Sequence, residues 1–437
     1  NVIKNMYDED SARHSVLILG LGIHGGGVGA ARFFAHLGMR VLVTDLKTKK
    51  ELSSSLRALK DLPITYMLGK HRMEDIKQAD LIIKNPGVPD SSIYIQKAKK
   101  LKIPITNDGA LFFALAPREH IIAVTGTKGK TTTALLTKHL LGSNAISVGT
   151  PGISFFDYFY TKKEPQWVVA EFSSFDLECI KNTARIAVIT SLFPDHLNRY
   201  RSFDAYAKTK MKLLTFQKKG DIAFLWQSPT IKKYTNTSQL KSKIIWVNNI
   251  PIQKNISWRI APEAIAIATS ITKNIGIPTA TIAARLSTFD APPGRLEIVT
   301  KKNNCTFIND TTATNPGSAI HSLSMLVEKF SPAQNITIVT GGEDKKFPRA
   351  DIKNYARAIN KYRVNIIILP GSFSDMLAPL LKNYQRAHSM PDAIKKATIT
   401  KSSIVALVPG AASFNSYKNE FDRAEHFIRA IQAIKSL

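Results

Sequence analysis

Gly126, Thr127, Lys128, Gly129, Lys130, Thr131 and Thr132 have the most chemistry to offer, and they follow the apolar run Ile121-Ile122-Ala123-Val124. A buried strand feeding a glycine turn, with a lysine and hydroxyls opening a helical pattern, aims backbone N–H groups and a helix N-terminus at phosphates. In such a loop Lys130 reaches the terminal phosphates of ATP, and the Thr131 or Thr132 hydroxyl can hold Mg²⁺. The common G-x-x-x-x-G-K-[ST] spacing would need glycine where Val124 stands, so this is the tighter Gly126-x-x-Gly129-Lys130-Thr131 form. The competing explanation is an ordinary strand–turn–helix with a surface lysine.

Two more candidates stand after later apolar runs. Glu171 opens Glu171-Phe172-Ser173-Ser174-Phe175 directly after Trp167-Val168-Val169-Ala170, and His196 lies in Phe193-Pro194-Asp195-His196 beyond Ile186-Ala187-Val188-Ile189-Thr190. In a parallel sheet the C-terminal strand ends line the ligand crevice, so both side chains could face phosphates held by Lys130. Mg²⁺ prefers oxygen ligands, which suits Glu171 better than His196. Taken singly, the histidine could be structural and the glutamate a helix cap. A third motif, Gly20-x-Gly22-x-x-Gly25 with Asp45 twenty residues on, matches the dinucleotide fingerprint by letter. A nicotinamide-dependent oxidoreductase is one reading of it. The same turn serves any pyrophosphate, and a nucleotide-linked substrate fits equally well. This turn and an ATP loop in one chain suggest a ligase acting on such a substrate.

These motifs need sheets to carry them. Val16-Leu17-Ile18-Leu19-Gly20, Val41-Leu42-Val43-Thr44-Asp45 and Leu81-Ile82-Ile83 read as strands of a first section, with a helix over Val28 to Leu37. The second section holds the phosphate loop and the two strands after it. The third carries strands at Ile336-Thr337-Ile338-Val339, Asn365-Ile366-Ile367-Ile368-Leu369 and Ile404-Val405-Ala406-Leu407, with helices over Asp351 to Tyr362 and from about Glu420. Strands alternating with helices imply an α/β chain of three domains with mostly parallel, doubly wound sheets. The N- and C-terminal domains are expected to be Rossmann-like and the central one a P-loop ATPase, with boundaries at 1–114, 115–297 and 298–437.

The chain has 437 residues, 44% of them hydrophobic, as in a soluble globular protein. No apolar run approaches the roughly 18 residues of a transmembrane helix, so no membrane insertion is expected. The opening NVIKNMYDED lacks the order of a signal peptide. Cys179 and Cys305 are too few for a disulfide framework or a zinc site, so a cytoplasmic setting is expected. Lys and Arg number 60 against 33 Asp and Glu, a net charge of +27. Such an excess could mark a nucleic-acid binder or a nucleic-acid-dependent ATPase. The basic residues are scattered rather than interleaved with aromatics, and no nucleic-acid motif accompanies them. The expectation is therefore steering of phosphorylated small molecules, with no nucleic acid.

An ordered set of motifs, GLGIHGGGVGAARFF, NPGVP, TGTKGKTTT, AEFSSFDLE, FPDHLNRY with YAKTK, PPGRLE, NDTTATNP, GGEDKKF and PGAASFNSYKNEFDR, resembles the Mur ligase family along the whole chain. SSFDLE, ATNP and the PGAASF segment resemble its D-glutamate-adding branch, with another Mur-type amino-acid ligase as the alternative. The resemblance implies ATP-dependent joining of D-glutamate to UDP-N-acetylmuramoyl-L-alanine through an acyl phosphate, and a monomer is expected. It implies that Gly22, Ile23, His24, Asp45, Asn85, Pro86 and Gly87 hold the UDP-linked substrate. Arg295 would meet the γ-phosphate and Asp310 the ATP ribose, while Lys345, Ser413 and Phe421 would hold D-glutamate. Two Mg²⁺ sites are implied, using Thr131, Glu171, His196 and Lys210, with Lys210 carbamylated by CO₂ and chosen over Lys208 by its spacing after Tyr206. Ser413 could equally cap a following helix.

The chain departs from the family pattern in places. Thr312 stands in Asn309-Asp310-Thr311-Thr312-Ala313-Thr314-Asn315 where the family has lysine. The adenine-contacting asparagine motif is replaced around Arg259-Ile260-Ala261-Pro262-Glu263, so no adenine contact is assigned. Gly149-Thr150-Pro151-Gly152 lacks the family asparagine, and Ala424 replaces a glycine after Arg423.

Overall fold

A computed structural model of the chain describes residues 11–434 apart from 24, 253–254, 333–334 and 401. The chain divides into two compact units. The first runs to Leu192 and adds Ala207–Ile250 and Pro262–Leu286; the second comprises Phe193–Tyr206, Pro251–Ala261 and Ser287–Leu437.

The first unit contains two sheets. One is built from β1 (Ser15–Leu19), β2 (Arg40–Asp45), β3 (Ile64–Leu68), β4 (Leu81–Lys84) and β5 (Ile105–Thr106), in the order β3-β2-β1-β4-β5, all parallel. Val16 and Ile18 of β1 pack into one core with Val41, Val43 and Phe34, while Leu17 and Leu19 face a second core with Ile82 and Ile95. Burial on both faces explains why β1 reads as an unbroken apolar run. Helix α1 (Gly26–His36) follows β1. The other sheet has β6 (Ile121–Thr125), β7 (Ala145–Val148), β8 (Trp167–Glu171), β9 (Ile186–Ile189), β10 (Ile222–Trp226) and β11 (Lys243–Val247), ordered β11-β10-β9-β6-β8-β7 and again parallel.

Aromatic rings join the two sheets' layers. Phe113 stacks on Phe172 with centroids 4.4 Å apart, and Phe33 of α1 meets Phe156 at 4.9 Å. Lys84, fully buried at the end of β4, bonds Asp90 and Glu178, each at 2.7 Å. A buried ammonium between two carboxylates is tolerated because both partners are present.

The second unit holds a mixed sheet of β12 (Glu297–Lys302), β13 (Cys305–Asn309), β14 (Ile336–Thr340), β15 (Asn365–Ile368), β16 (Gln385–Arg386) and β17 (Ile404–Leu407), ordered β12-β13-β17-β14-β15-β16. Only β12 runs antiparallel, paired to β13 through the tight connection at Asn303 and Asn304, whose φ values are 50° and 58°. Asparagine is among the residues that enter this left-handed region most readily. The mostly parallel α/β expectation is met, with this hairpin as the exception. It escaped detection because β12, EIVTKK, has too few apolar residues to read as a strand.

Candidate active site

The phosphate loop sits between β6 and helix α2 (Lys130–Leu141). Gly129 caps the helix at φ 88°, and Gly126 has φ 157°. A Cβ on Gly126 would lie 2.0 Å from Thr190 Oγ1, so only glycine fits. The loop after β9 fixes this one from beside it. Ser191 O accepts from the Thr127 N–H at 3.0 Å, Ser191 Oγ accepts from the Lys128 N–H at 2.8 Å, and Thr190 Oγ1 donates to Lys128 O at 2.6 Å. Lys130 Nζ turns back onto Thr127 O at 3.3 Å. Thr131 and Thr132 lie in the first turn of α2, both buried. Thr190 and Ser191 went unnoticed in the sequence because hydroxyl residues after an apolar run carry no distinctive spacing.

Glu171 ends β8 beside Val124 of β6, at the same C-terminal edge as the loop. Its Oε2 is buried with no hydrogen-bond partner among the described residues. An orphaned carboxylate oxygen at a phosphate loop fits an Mg²⁺ ligand, and does not fit the helix-cap alternative. Lys210, on helix α3 (Phe203–Thr215), is buried and places Nζ 3.3 Å from Thr125 Oγ1, whereas Lys208 is exposed. Asp176 is half-buried here. Burial raises its carboxyl, Ser173 hydrogen bonds lower it, and the charges of Glu171 and Lys210 act in opposite senses. Asp108 is pushed up to about 7 by burial and by Asp176. No group of three His, Cys, Asp or Glu fit to hold a metal exists among the described residues, so a cation here would need waters or phosphate oxygens to complete its shell.

At the N-terminal sheet, Asp45 ends β2 and accepts from the Gly22 N–H at 2.9 Å and the Lys47 N–H at 2.8 Å. Both carboxylate oxygens thus organise the turn, and each keeps a lone pair for a further donor. Asn85 lies against the same turn, since a Cβ on Gly22 would meet its Nδ2 at 2.9 Å, and its Oδ1 accepts from the Gly87 N–H. Gly22, Asp45, Asn85 and Gly87 are therefore together, with Ile23 and Pro86 adjacent in the chain. His24 lies outside the described residues. The other glycines have packing duties: a Cβ on Gly27 would strike Leu21 O at 2.4 Å, and one on Gly29 would strike Ser154 Oγ at 2.0 Å.

His196, Arg295, Asp310, Lys345, Ser413 and Phe421 belong to the second unit. His196 has φ 54°, a conformation that costs a non-glycine residue about 1–3 kcal/mol and often marks a functional position. Asp195, which sequence reasoning passed over, links His196 to Lys345. Its Oδ1 accepts from the His196 N–H at 2.8 Å and lies 3.3 Å from Lys345 Nζ, while Oδ2 accepts from Asn315 at 3.0 Å. Burial opposes ionisation of Asp195, but Lys345, His196 and these hydrogen bonds hold its carboxyl down to about 2. Arg295 and Asp310 are neighbours, as Asp310 Oδ1 accepts from the Leu296 N–H at 3.3 Å. Asp310 Oδ2 is buried without a partner among the described residues. Thr312 Oγ1 donates to Gly294 O at 3.0 Å, tying the segment after β13 to the turn that carries Arg295. Ser413 is not a helix cap; Asn419 caps helix α4 (Glu420–Gln432), which begins with Phe421 in its first turn.

Three family models match the chain: "Mur ligase MurD-like, N-terminal domain" over residues 14–107, "Mur ligase middle domain" over 124–261 and "Mur ligase, glutamate ligase domain" over 294–412. A UDP-N-acetylmuramoylalanine–D-glutamate ligase of Roseiflexus sp. (strain RS-1) is 32% identical over 95% of this chain and 98% of its own length. The enzyme of the same name from Borreliella burgdorferi is also 32% identical, over 94% and 96%. Among solved structures, UDP-N-acetylmuramate–alanine ligase MurC of Thermotoga maritima superposes with TM-score 0.63 at 19% identity, covering 96% of this chain and all of that one. MurF ligase of Thermotoga maritima, solved with ADP, gives 0.60 at 14% over 97% and 98%. These two likenesses concern the fold. With relatives matched end to end above 30% identity, the chain belongs to the Mur ligase family.

Proposed function

We propose that the chain is an ATP-dependent ligase that joins D-glutamate to UDP-N-acetylmuramoyl-L-alanine during peptidoglycan precursor synthesis. The observation that carries this reading is a lysine-bearing phosphate loop sharing a sheet edge with Glu171, whose buried Oε2 has no hydrogen-bond partner among the described residues, in a chain aligned over nearly its whole length with D-glutamate ligases. A carboxylate is a poor electrophile until one oxygen becomes a leaving group. Transfer of the ATP γ-phosphoryl to the substrate's terminal carboxylate makes an acyl phosphate. The D-glutamate amine then attacks its carbonyl carbon, and the tetrahedral intermediate expels phosphate. Lys130 and Arg295 supply positive charge to a transfer between anions. Mg²⁺, held by Thr131, Glu171, His196 and a carbamylated Lys210, would add further charge stabilisation when bound. The buried setting of Lys210 supports a carbamate, whose oxygens can serve a cation where an ammonium cannot.

The division into residues 1–114, 115–297 and 298–437 follows from the same reading. The first part takes the UDP-linked substrate at Gly22, Ile23, His24, Asp45 and Asn85-Pro86-Gly87. The central part binds ATP with Gly126 to Thr132. The last contributes Asp310 to ATP and Lys345, Ser413 and Phe421 to D-glutamate. No helix among the described residues is long and apolar enough to cross a membrane, and such substrates belong to the cytoplasm. The test is phosphate release from ATP. It should require both D-glutamate and the UDP-muramoyl substrate, while NAD should neither bind nor affect the rate. Saturable micromolar NAD binding, or release independent of D-glutamate, would overturn the proposal.

A further inference from the structure

Arg423 is the largest fully buried side chain among the described residues, and none of the site residues above accounts for it. It projects from α4 and donates through Nη1 to Ala411 O at 3.1 Å, through Nη2 to Thr311 O at 2.9 Å and through Nε to Thr311 Oγ1 at 3.2 Å. Thr311 Oγ1 in turn donates to Glu420 O at 2.6 Å. One guanidinium therefore ties together the segment after β13, the segment after β17 and the start of α4. Those three pieces carry Asp310, Ser413 and Phe421.

The brace is electrically unfinished. No carboxylate lies within ion-pair distance of Arg423 among the described residues, and burial pulls its guanidinium down to about 10 despite Glu420 and Tyr417. Buried charges are ordinarily paired with an opposite charge; this one has carbonyl and hydroxyl oxygens alone. Nη1 and Nη2 each keep one N–H beyond the bonds above. Arg423 also lines a cavity of about 10 Å³ with Gly341, Gly342, Ser413 and Tyr417. Such a space holds about one water molecule and is too small for an amino acid.

We propose that Arg423 is the positioning residue of the amino-acid site: it fixes the segments carrying Asp310, Ser413 and Phe421, and its uncompensated charge favours a carboxylate at Ser413 without touching it. The proposal rests on the reading of the C-terminal part as the binder of an anionic amino acid. A dianionic substrate arriving at Ser413 adds a counter-charge to the distant ones of Glu420 and Tyr417. Lysine in place of Arg423 would keep the charge but could not span both carbonyls, because the planar fork is lost. Methionine would keep much of the volume and lose both.

The experiment measures steady-state phosphate release by the full chain and its Arg423→Lys and Arg423→Met variants, varying each substrate in turn, with thermal unfolding followed in parallel. Loss of a charge-assisted contact predicts a KM for D-glutamate raised about tenfold or more in Arg423→Met and by less in Arg423→Lys. The KM values for ATP and the UDP-linked substrate should move by less than about twofold, and kcat by less than the D-glutamate KM. A purely structural arginine would lower the unfolding temperature and the active fraction but leave the three KM values in their original ratio, and that result would overturn the proposal. Should Arg423→Met not fold, Arg423→Lys decides by the same ratio. If the parent enzyme uses another amino acid in place of D-glutamate, the D-glutamate reading falls, and the KM for that amino acid is then the one that must respond.

Discussion

Asp108 shows what a single buried group costs and how that cost can be read. Its carboxyl titrates near 7 because burial and Asp176 both disfavour the charge, whereas an unfolded chain would ionise it near the ordinary 3.8. The folded state therefore holds the proton longer, and stability is full below about pH 4 and declines as pH rises towards 7, by up to about 1.4 kcal/mol per pH unit. Asp108→Asn should unfold at a higher temperature than the parent at pH 8 and show no such gain at pH 3; equal shifts at both would refute the titration. Lys130 belongs to the same scale. On the proposed reading Lys130→Ala removes the charge that would face the transferred phosphoryl group, and it should lower turnover about 100-fold or more, so near-normal phosphate release would contradict the loop assignment. For Lys210 the contrast with a neighbour is decisive, since Lys210 is buried beside Thr125 and Lys208 is exposed on the same helix. Lys210→Ala should lose activity and recover part of it with an added short-chain carboxylate, while Lys208→Ala should be nearly neutral. The reverse pattern would show that the helix register is misassigned.

At the scale of elements, the loop between β6 and α2 depends on glycine for two separate reasons. Gly126→Ala would drive a methyl against Thr190 Oγ1 and Ser191 O, two of the groups that hold the loop, so the KM for ATP should rise at least tenfold. Gly220→Ala shares a positive φ but meets nothing within 4 Å, and should cost only the backbone strain of about 1 kcal/mol, with ATP binding intact. If the two variants behaved alike, strain and not the clash would govern the loop. This element was legible in the sequence because its whole signal is contiguous: strand, glycines, lysine and hydroxyls within a dozen positions. β1, β2, β4, β8 and β9 were legible for the same reason, as buried parallel strands that read as apolar runs. β10 and β11 passed unread although β10 is IAFLW, because no motif followed them to mark their ends. Asp195, Asp108 and Arg423 were illegible as site components for another reason. Each gains its role from partners distant in the chain, such as Lys345 for Asp195 and Thr311 for Arg423, and spacing along one sequence carries no record of those pairings.

At the scale of the whole molecule, the net charge of +27 bears on how the substrates arrive. ATP, a UDP-linked sugar and D-glutamate are all anions, so a cationic surface should raise their local concentration before any specific contact forms. Such a field acts over the Debye length, about 30 Å at 0.01 M salt and about 8 Å at 0.15 M, so salt should silence it. The enzyme should therefore lose about an order of magnitude in kcat/KM for the UDP-linked substrate between low and physiological ionic strength. At saturating substrate the reaction proceeds from an assembled complex in which short-range partners such as Lys130 dominate, so kcat should change far less. A flat kcat/KM profile would show that the lysines are a solvated surface without a role in substrate capture. Salt-sensitive binding of duplex DNA at micromolar concentration, undisturbed by ATP, would instead return the charge to nucleic acid, because counterion release from phosphates gives that dependence without using the ligand crevice.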